Sequence, residues 1–205
     1  MIEVKGTVIM ARLDYAEAKG GPGLLLKLQE APPPVGPAAT AVMLTLQIFP
    51  LSTDDAICRF IAEILKRDES IFMEIGAFSA DQSRGLQKIV HGAKTDPQEL
   101  LAGMPRQFPQ YLRGDVGTAR YEAAGSSGGR IIWKGHTQTY HSHCLSSIGY
   151  ITRMLENNGV TGVTGRNAEC LADGHSQCVW DFTWKEATGM RRSTQSFKAI
   201  KVKSR

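Results

Sequence analysis

Apolar residues recur at helical spacing in the segment STDDAICRFIAEILKRD. The apolar positions form one stripe along a helix, namely Ala56, Ile57, Phe60, Ile61, Ile64 and Leu65. Ser52 or Thr53 can cap the first turn, because a hydroxyl oxygen accepts hydrogen bonds from free backbone N–H groups. Asp54 and Asp55 suit the positive end of the helix dipole as capping acids. The pattern predicts a helix whose stripe faces the core, with Cys58 off the stripe as an incidental thiol.

Three further segments have helical patterns, at residues 70–92, 95–112 and 136–159. The first contains Gly76 and Gly85, and a break is predicted near one or the other. In the second, Pro97 follows Asp96 and suits the first helical position, where its missing N–H would be unpaired in any case. The third ends on Asn158 and Gly159, which form a C-cap signal. The sequence therefore predicts four main helices.

Strand patterns lie near both ends of the chain, at residues 2–13, 117–135, 160–170 and 177–184. The second of these contains the turn GSSGG, which predicts a hairpin. After the first pattern, GGPGLLLKLQ predicts a short helix beyond a glycine break, and residues 30–41 predict an irregular proline-rich surface connection. The order of elements predicts an α+β fold in which helices cover an antiparallel sheet.

Composition indicates one soluble domain, which we place at residues 1–184 of the 205. Hydrophobic residues make up 42% of the chain and charged residues 21%, as is typical of a folded protein. No apolar run approaches the ~20 residues of a membrane helix, and the N-terminus lacks a signal-peptide pattern. Four cysteines in such a chain favour a reducing compartment, so we expect a cytoplasmic protein.

Positive charge is concentrated in residues 185–205, which contain seven Lys or Arg side chains and one acid, Glu186. The segment has few apolar residues and is predicted to be a flexible tail. It could solubilise the chain or contact an acidic partner. No surface of interleaved aromatic and basic side chains accompanies it, so specific nucleic-acid binding is not expected.

Two cysteines, Cys170 and Cys178, flank a turn at Asp173 and Gly174. Residues at the base of an antiparallel hairpin face one another, so these thiols should lie close together. Cys144 falls on the inward face of the preceding helix, and the three thiols could meet there. They could bind a structural zinc ion, or they could be small buried packing residues. The candidates for a fourth zinc ligand are His143, His175, His141, Glu169 and Asn167.

The sequence offers little support for an enzyme. His143 and Cys144 are adjacent in a helix, so their side chains diverge by about 100° and cannot form a nucleophile–base pair. His136 is predicted to mark the helix entrance. The glycine-rich stretches match neither a phosphate-binding nor a dinucleotide-binding motif. A thiol-dependent enzyme with Cys144 as nucleophile is therefore the least favoured hypothesis.

The C-terminal half contains a motif formed by Gly149, Tyr150, Cys170, Gly174, Cys178 and Phe182. This motif resembles the signature of the 4-vinyl-reductase domain superfamily. The stretches VKGTVIMARL and ILKRDESIFMEIGAFSADQ resemble a related family with many myxobacterial paralogues, so the resemblance covers about residues 3–184. It implies a sandwich like that of TRAPP subunits and phenol-responsive sensors, with an internal apolar pocket and zinc bound nearby by cysteines. The family's acidic zinc ligand is replaced by Asn167 here.

The leading functional hypothesis is a non-catalytic regulatory or sensor module that binds a small apolar molecule in an internal pocket. The predicted ligand-binding residues are Tyr140, Ile148, Trp180, Phe182 and Trp184. The alternative is an interaction or scaffold module that binds a protein partner or forms a homodimer. In that case the proline-rich residues 31–37 and the basic tail would be contacts or spacers.

Overall fold

The structure is a computed structural model that describes residues 1–41, 44–83 and 96–185. Among these residues, none of the helices combines the length and the apolar character that a membrane span requires. The tail from residue 186 onward lies outside the described residues. The predicted helix at 70–92 is described only as far as residue 83.

The helices and strands of the described part follow one another as β1 Ile2–Lys5, α1 Gly6–Glu30, α2 Val35–Ala39, β2 Ile48–Pro50, α3 Leu51–Ile64, α4 Ser70–Gln82, α5 Pro97–Gly103, α6 Phe108–Tyr111, β3 Leu112–Gly114, β4 Thr118–Ala123, β5 Gly128–Lys134, α7 His141–Asn157, β6 Thr164–Glu169 and β7 Gln177–Thr183. Short 3-10 turns occur at Leu44–Leu46, Met104–Arg106 and Leu171–Asp173.

The strands form two antiparallel sheets. A small sheet has the order β2-β1-β3, and the main sheet has the order β4-β5-β7-β6. The predicted hairpins are confirmed, because β4 pairs with β5 and β6 pairs with β7. Helix α7 packs against β6 and β7. The α+β class, with antiparallel sheet and helices packed together, is therefore confirmed.

Helices α4 and α7 pack closely because each presents a glycine to the backbone of the other. A Cβ atom on Gly76 would lie 1.8 Å from the carbonyl oxygen of Ser146, and one on Gly149 would lie 2.1 Å from that of Met73. Both distances are far below the separation of non-bonded atoms. The predicted break does not occur at Gly76, since α4 runs unbroken through it, and the alternative position Gly85 lies outside the described residues. Gly76 instead permits the close approach of two helices.

The prediction of a long first strand is correct only for β1. The chain becomes helical at Gly6, and α1 buries Ile9, Leu13 and Ala16 at helical spacing. A short apolar run with β-branched residues fits a strand or a helix equally well, so tertiary packing decides between them. The predicted glycine break is confirmed at Gly21, where φ is +68° inside α1.

The proline-rich segment is not irregular throughout. Helix α2 forms within it and buries Val35, Ala38 and Ala39, packing against α1. Proline fixes φ near its helical value, so it is compatible with the first turn of a helix. The prediction of an irregular surface connection is therefore wrong for these residues.

Helix α3 is confirmed, but its buried face is rotated from the predicted stripe. Ile57, Cys58 and Ile61 are fully buried, whereas Phe60 is only partly buried. The helix packs on α1 along one side and on α7 along another, so the buried arc is wider than one stripe. The prediction that Cys58 lies off the buried stripe is wrong, and its description as an incidental thiol rather than a ligand stays a prediction.

The capping predictions have opposite outcomes in two helices. Helix α3 begins at Leu51 without a side-chain cap, so the prediction that Ser52 or Thr53 caps it is wrong. In α5 the carboxylate of Asp96 accepts a hydrogen bond of 2.9 Å from the backbone N–H of Gln98. The predicted start of that helix is therefore confirmed.

Candidate ligand-binding site

A cavity of about 480 Å³ lies between α1, α4, α7 and the segment that joins α5 to β3. Most of its wall is carbon, and its apolar lining includes Val8, Met104, Phe108, Leu112 and Ile151. Sites for small molecules typically enclose ~300–1,000 Å³ and have mainly apolar walls with few polar groups. This cavity is therefore the candidate binding site.

At one wall of the cavity, Arg12 of α1 forms a buried ion pair with Asp54 of α3. Arg12 Nε lies 2.9 Å from Asp54 Oδ1, and the two residues are 5% and 0% exposed. Burial disfavours the ionised carboxylate, but the Arg12 charge outweighs burial and holds the pKa of Asp54 at about 2. Asp54 raises the pKa of Arg12 against the effect of burial. Both groups are charged at neutral pH, and together they are neutral.

Two serine hydroxyls extend this ion pair into a network. Arg12 Nη2 donates to Ser146 Oγ at 3.0 Å, and Nη1 donates to Ser79 Oγ at 3.4 Å. Ser146 Oγ in turn donates to the carbonyl of His143 at 3.2 Å, and Ser79 Oγ donates to that of Ile75 at 2.9 Å. The network joins α1, α3, α4 and α7 beside the cavity.

The role predicted for Asp54 is wrong, and no prediction identified Arg12. Asp54 is not an exposed capping acid, because it is fully buried against Arg12. The available signal was a charged residue inside the apolar run TVIMARL, between the buried Ile9 and Leu13. A buried guanidinium requires a buried acid. Nothing in the local sequence identifies which acid that is.

His143 lies next to the ion pair and lines the same cavity. Its Nδ1 atom is 4.0 Å from Asp54 Oδ2, which is too long for a hydrogen bond. Nδ1 is buried and has no hydrogen-bond partner among the described residues. The predicted divergence of His143 and Cys144 is confirmed, because His143 lines the cavity while Cys144 contacts other thiols.

The three predicted thiols do come together. Cys144 Sγ lies 3.7 Å from Cys170 Sγ and 3.8 Å from Cys178 Sγ, and all three residues are fully buried. Hydrogen bonds with Cys144 and Cys178 lower the pKa of Cys170, whereas hydrogen bonds with Cys170 and Cys178 raise the pKa of Cys144. A buried thiol with a raised pKa is a poor nucleophile, so the geometry disfavours Cys144 in that role.

His136 contacts this thiol cluster, although the sequence analysis placed it only at a helix entrance. Its Nε2 atom lies 3.4 Å from Cys178 Sγ, and its ring stacks on Trp133 with centroids 3.9 Å apart. Burial lowers the pKa of His136. Because α7 begins only at His141, His136 belongs to the preceding loop, which folds inward.

The suggested fourth ligands have other surroundings. His143 lines the cavity, Glu169 accepts a hydrogen bond of 2.8 Å from Gln177, and His175 is exposed. His141 lies 2.7 Å from Asp173 and within 4.8 Å of the Cys170 thiol, and Asn167 contacts that same thiol.

The residues predicted to line a ligand pocket lie elsewhere. Ile148, Trp180, Phe182 and Trp184 are buried in the core, and Tyr140 is partly buried beside it. Of the cavity's lining residues, none belongs to this predicted set. The aromatic face of β7 therefore fills the core, where Trp180 packs on Trp133 with centroids 6.1 Å apart. The candidate site adjoins this cluster through Phe108, which lines the cavity and lies 5.7 Å from Trp180 between ring centroids.

No family model matches the chain, and no curated protein matches its sequence. Solved structures of H-NOX proteins do share its fold. An H-NOX protein from S. oneidensis in the Fe(II)NO ligation state is 14% identical with a TM-score of 0.69, covering 88% of this chain and 99% of that one. Unliganded Fe(II) H-NOX from K. algicida is 14% identical with a TM-score of 0.64, covering 91% and 100%.

A third similar structure is an oxygen-binding H-NOX domain related to soluble guanylate cyclases, in its oxygen complex. It is 13% identical with a TM-score of 0.63, and the match covers 92% of this chain and 98% of that one. At such identities the likeness concerns the fold alone. The architecture is therefore H-NOX-like across nearly the whole of these domains.

This comparison corrects two predictions. The structural neighbours are H-NOX proteins, so the assignment to a 4-vinyl-reductase or TRAPP-like fold is wrong. The neighbouring structures contain iron(II) with nitric oxide, or bound oxygen, and none is described with zinc. The prediction of a zinc cofactor is therefore also wrong. The remaining interpretation of the thiols is that they are small packing residues between α7 and the last hairpin.

Proposed function

We propose that this chain is a non-catalytic sensor or regulatory module that binds a small, mainly apolar molecule in the 480 Å³ cavity. The observation that carries the proposal is a mainly apolar cavity whose lining also includes polar groups, among them Arg12, His143 and Ser146. Binding sites commonly combine a large apolar surface with a few oriented polar groups. The predictions of a protein partner or a homodimer stay predictions.

The fold supports a sensor rather than an enzyme. The structures of H-NOX proteins that resemble this chain include one in an Fe(II)NO ligation state and one in complex with oxygen. Fold alone does not define function, so the cavity's own chemistry has to identify its ligand class.

Haem is the group that H-NOX proteins bind, and the described cavity lining does not fit it. The imidazole of His143 is a suitable type of axial ligand. However, Arg12 is the one Lys or Arg side chain in the described lining, and it is already paired with Asp54. Asp14 adds a negative charge to the same lining. The two carboxylates of haem would therefore lack free cationic partners among these residues.

The proposal can be tested by filling the cavity. The Ala11→Phe substitution adds a ring at a lining residue of α1, and Ala18→Phe is a matched control because Ala18 is exposed on the same helix. We expect the parent and Ala18→Phe to bind neutral fluorescent N-phenylnaphthylamine equally well. Ala11→Phe should raise the dissociation constant about tenfold or more, since ring and probe compete for one space. Equal fluorescence titrations for all three would contradict the proposal.

A further inference from the structure

The two serine hydroxyls at the polar wall already use their protons. Ser146 Oγ and Ser79 Oγ each accept a hydrogen bond from Arg12. Each also donates its single proton to a backbone carbonyl, at 3.2 and 2.9 Å respectively. These hydroxyls therefore complete the burial of Arg12, and a ligand must find its polar partner elsewhere on this wall.

His143 offers such a partner. Its Nδ1 atom faces the Asp54 carboxylate at 4.0 Å, and that carboxylate is ionised because Arg12 lies beside it. Although 4.0 Å is too long for a hydrogen bond, the attraction of this carboxylate favours the neutral tautomer whose proton lies on the facing nitrogen, Nδ1. Nε2 then holds a lone pair. Since Nδ1 is turned toward Asp54, Nε2 is the ring nitrogen left to accept a hydrogen bond from a molecule in the cavity.

The charges around the cavity disfavour an ionic ligand. Arg12 and Asp54 neutralise each other at 2.9 Å, and Arg12 also donates hydrogen bonds to two hydroxyls. An anion would compete with Asp54 for this guanidinium. For a cation, the acidic partner in the described lining would be Asp14, which is exposed to solvent. Burying a charge without a dedicated partner is strongly unfavourable.

We infer that the cavity selects a neutral molecule with an apolar body and one hydrogen-bond donor, an alcohol or a neutral N–H group, which donates to Nε2 of His143. This inference rests on the proposed function and adds the group that orients the ligand. A molecule of the same size that can only accept hydrogen bonds would leave Nε2 unpaired, which weakens binding. Discrimination of this kind is strong when a buried site hydrogen-bonds a donor group that the analogue lacks.

The test uses three molecules of similar size. The isomers n-octanol and heptyl methyl ether have the same heavy atoms, but only the alcohol can donate a hydrogen bond; octanoate supplies the anionic comparison. Their dissociation constants are measured by calorimetry at neutral pH with the full chain and two variants. His143→Phe keeps a ring and removes Nε2, while His175→Phe is a matched control that removes an exposed imidazole outside the cavity lining.

We expect the parent and His175→Phe to bind n-octanol about tenfold more tightly than the ether, in line with one buried hydrogen bond. Octanoate should bind more weakly than the alcohol. In His143→Phe the alcohol and the ether should bind equally, because the preference resides in Nε2. Unchanged melting temperatures would show that both variants fold.

Several results would overturn the inference. Equal affinity for the alcohol and the ether in the parent would remove the donor requirement while leaving the cavity as a binding site. Tightest binding of octanoate would mean that Arg12 recognises an anion. If none of the three binds and N-phenylnaphthylamine fails as well, the proposed function fails and the inference fails with it.

Discussion

Arg12 and Asp54 are separated by 42 positions in the chain, yet each is almost fully buried and each depends on the other. Removing one partner of a buried pair leaves a charge without compensation, which typically costs about 3–5 kcal/mol. Replacing both partners by apolar residues removes the desolvation cost along with the attraction. The pair is thus expected to determine how the four helices at the cavity are arranged more than it raises stability.

This balance predicts the outcome of a double-mutant cycle. Arg12→Met should lower the free energy of unfolding by about 3–5 kcal/mol, whereas Arg12→Met combined with Asp54→Leu should lose distinctly less. Arg59→Met is the control, because Arg59 pairs with Asp55 at the surface of the same region. Its replacement should lower the free energy of unfolding by less than ~1 kcal/mol. Urea denaturation measures all of these values. Equal losses for Arg12→Met and Arg59→Met would contradict the argument.

Single residues also show where the sequence is informative about the site and where it is not. The meeting of Cys144, Cys170 and Cys178 was predictable, because a hairpin base and an adjacent helix face restrict their positions. The partnership of Arg12 with Asp54 was not, because it joins distant helices and no local pattern encodes it. The cavity itself depends on how four helices pack, which is a tertiary property.

Glycine determines how the two central helices meet. A methyl group at Gly149 would lie 2.1 Å from the Met73 carbonyl oxygen, which is a backbone atom and cannot rotate away. At Gly103, the last residue of α5, nothing lies within 4 Å of the same added atom. One helical glycine is therefore essential for close packing, while the other is free to gain a side chain.

The Gly149→Ala substitution should accordingly destabilise the protein by about 1–3 kcal/mol or more, because α7 must move away from α4. Gly103→Ala should be neutral or slightly stabilising, since alanine favours helix over glycine by up to ~1 kcal/mol. Thermal and urea unfolding of the two variants provide the comparison. A stable Gly149→Ala variant would show that these helices can separate without cost.

The helices and strands that were predicted best are those whose hydrophobic pattern is unambiguous over many residues. Helix α7 and the two hairpins of the main sheet were predicted because their periodicities and turn signals agree. Helix α1 was missed at its start, because IEVKGTVIM is too short and too β-branched for periodicity to distinguish helix from strand. Only the contacts of α1 with α3 and α4 decide in favour of the helix.

On the scale of the whole molecule, the cavity draws on distant parts of the chain. Its walls come from α1, α4, α7 and the segment before β3, and the ion pair adds α3. The far side of α7 packs on the main sheet, through the buried Cys144 and Ile148. A molecule bound in the cavity therefore contacts helices that we expect to unfold together with the main sheet as one unit.

Ligand binding should consequently stabilise the helices and the main sheet equally. The fluorescence of Trp133, Trp180 and Trp184 reports on the main sheet and its end, and far-ultraviolet circular dichroism reports mainly on the helices. With n-octanol at 100 times its dissociation constant, both signals should indicate about 2.7 kcal/mol of added stability in urea, because the ligand binds only the folded state. Ala11→Phe should reduce both shifts together. A shift in the helical signal alone would mean that the cavity and the sheet unfold separately, and that the ligand stabilises only the helices.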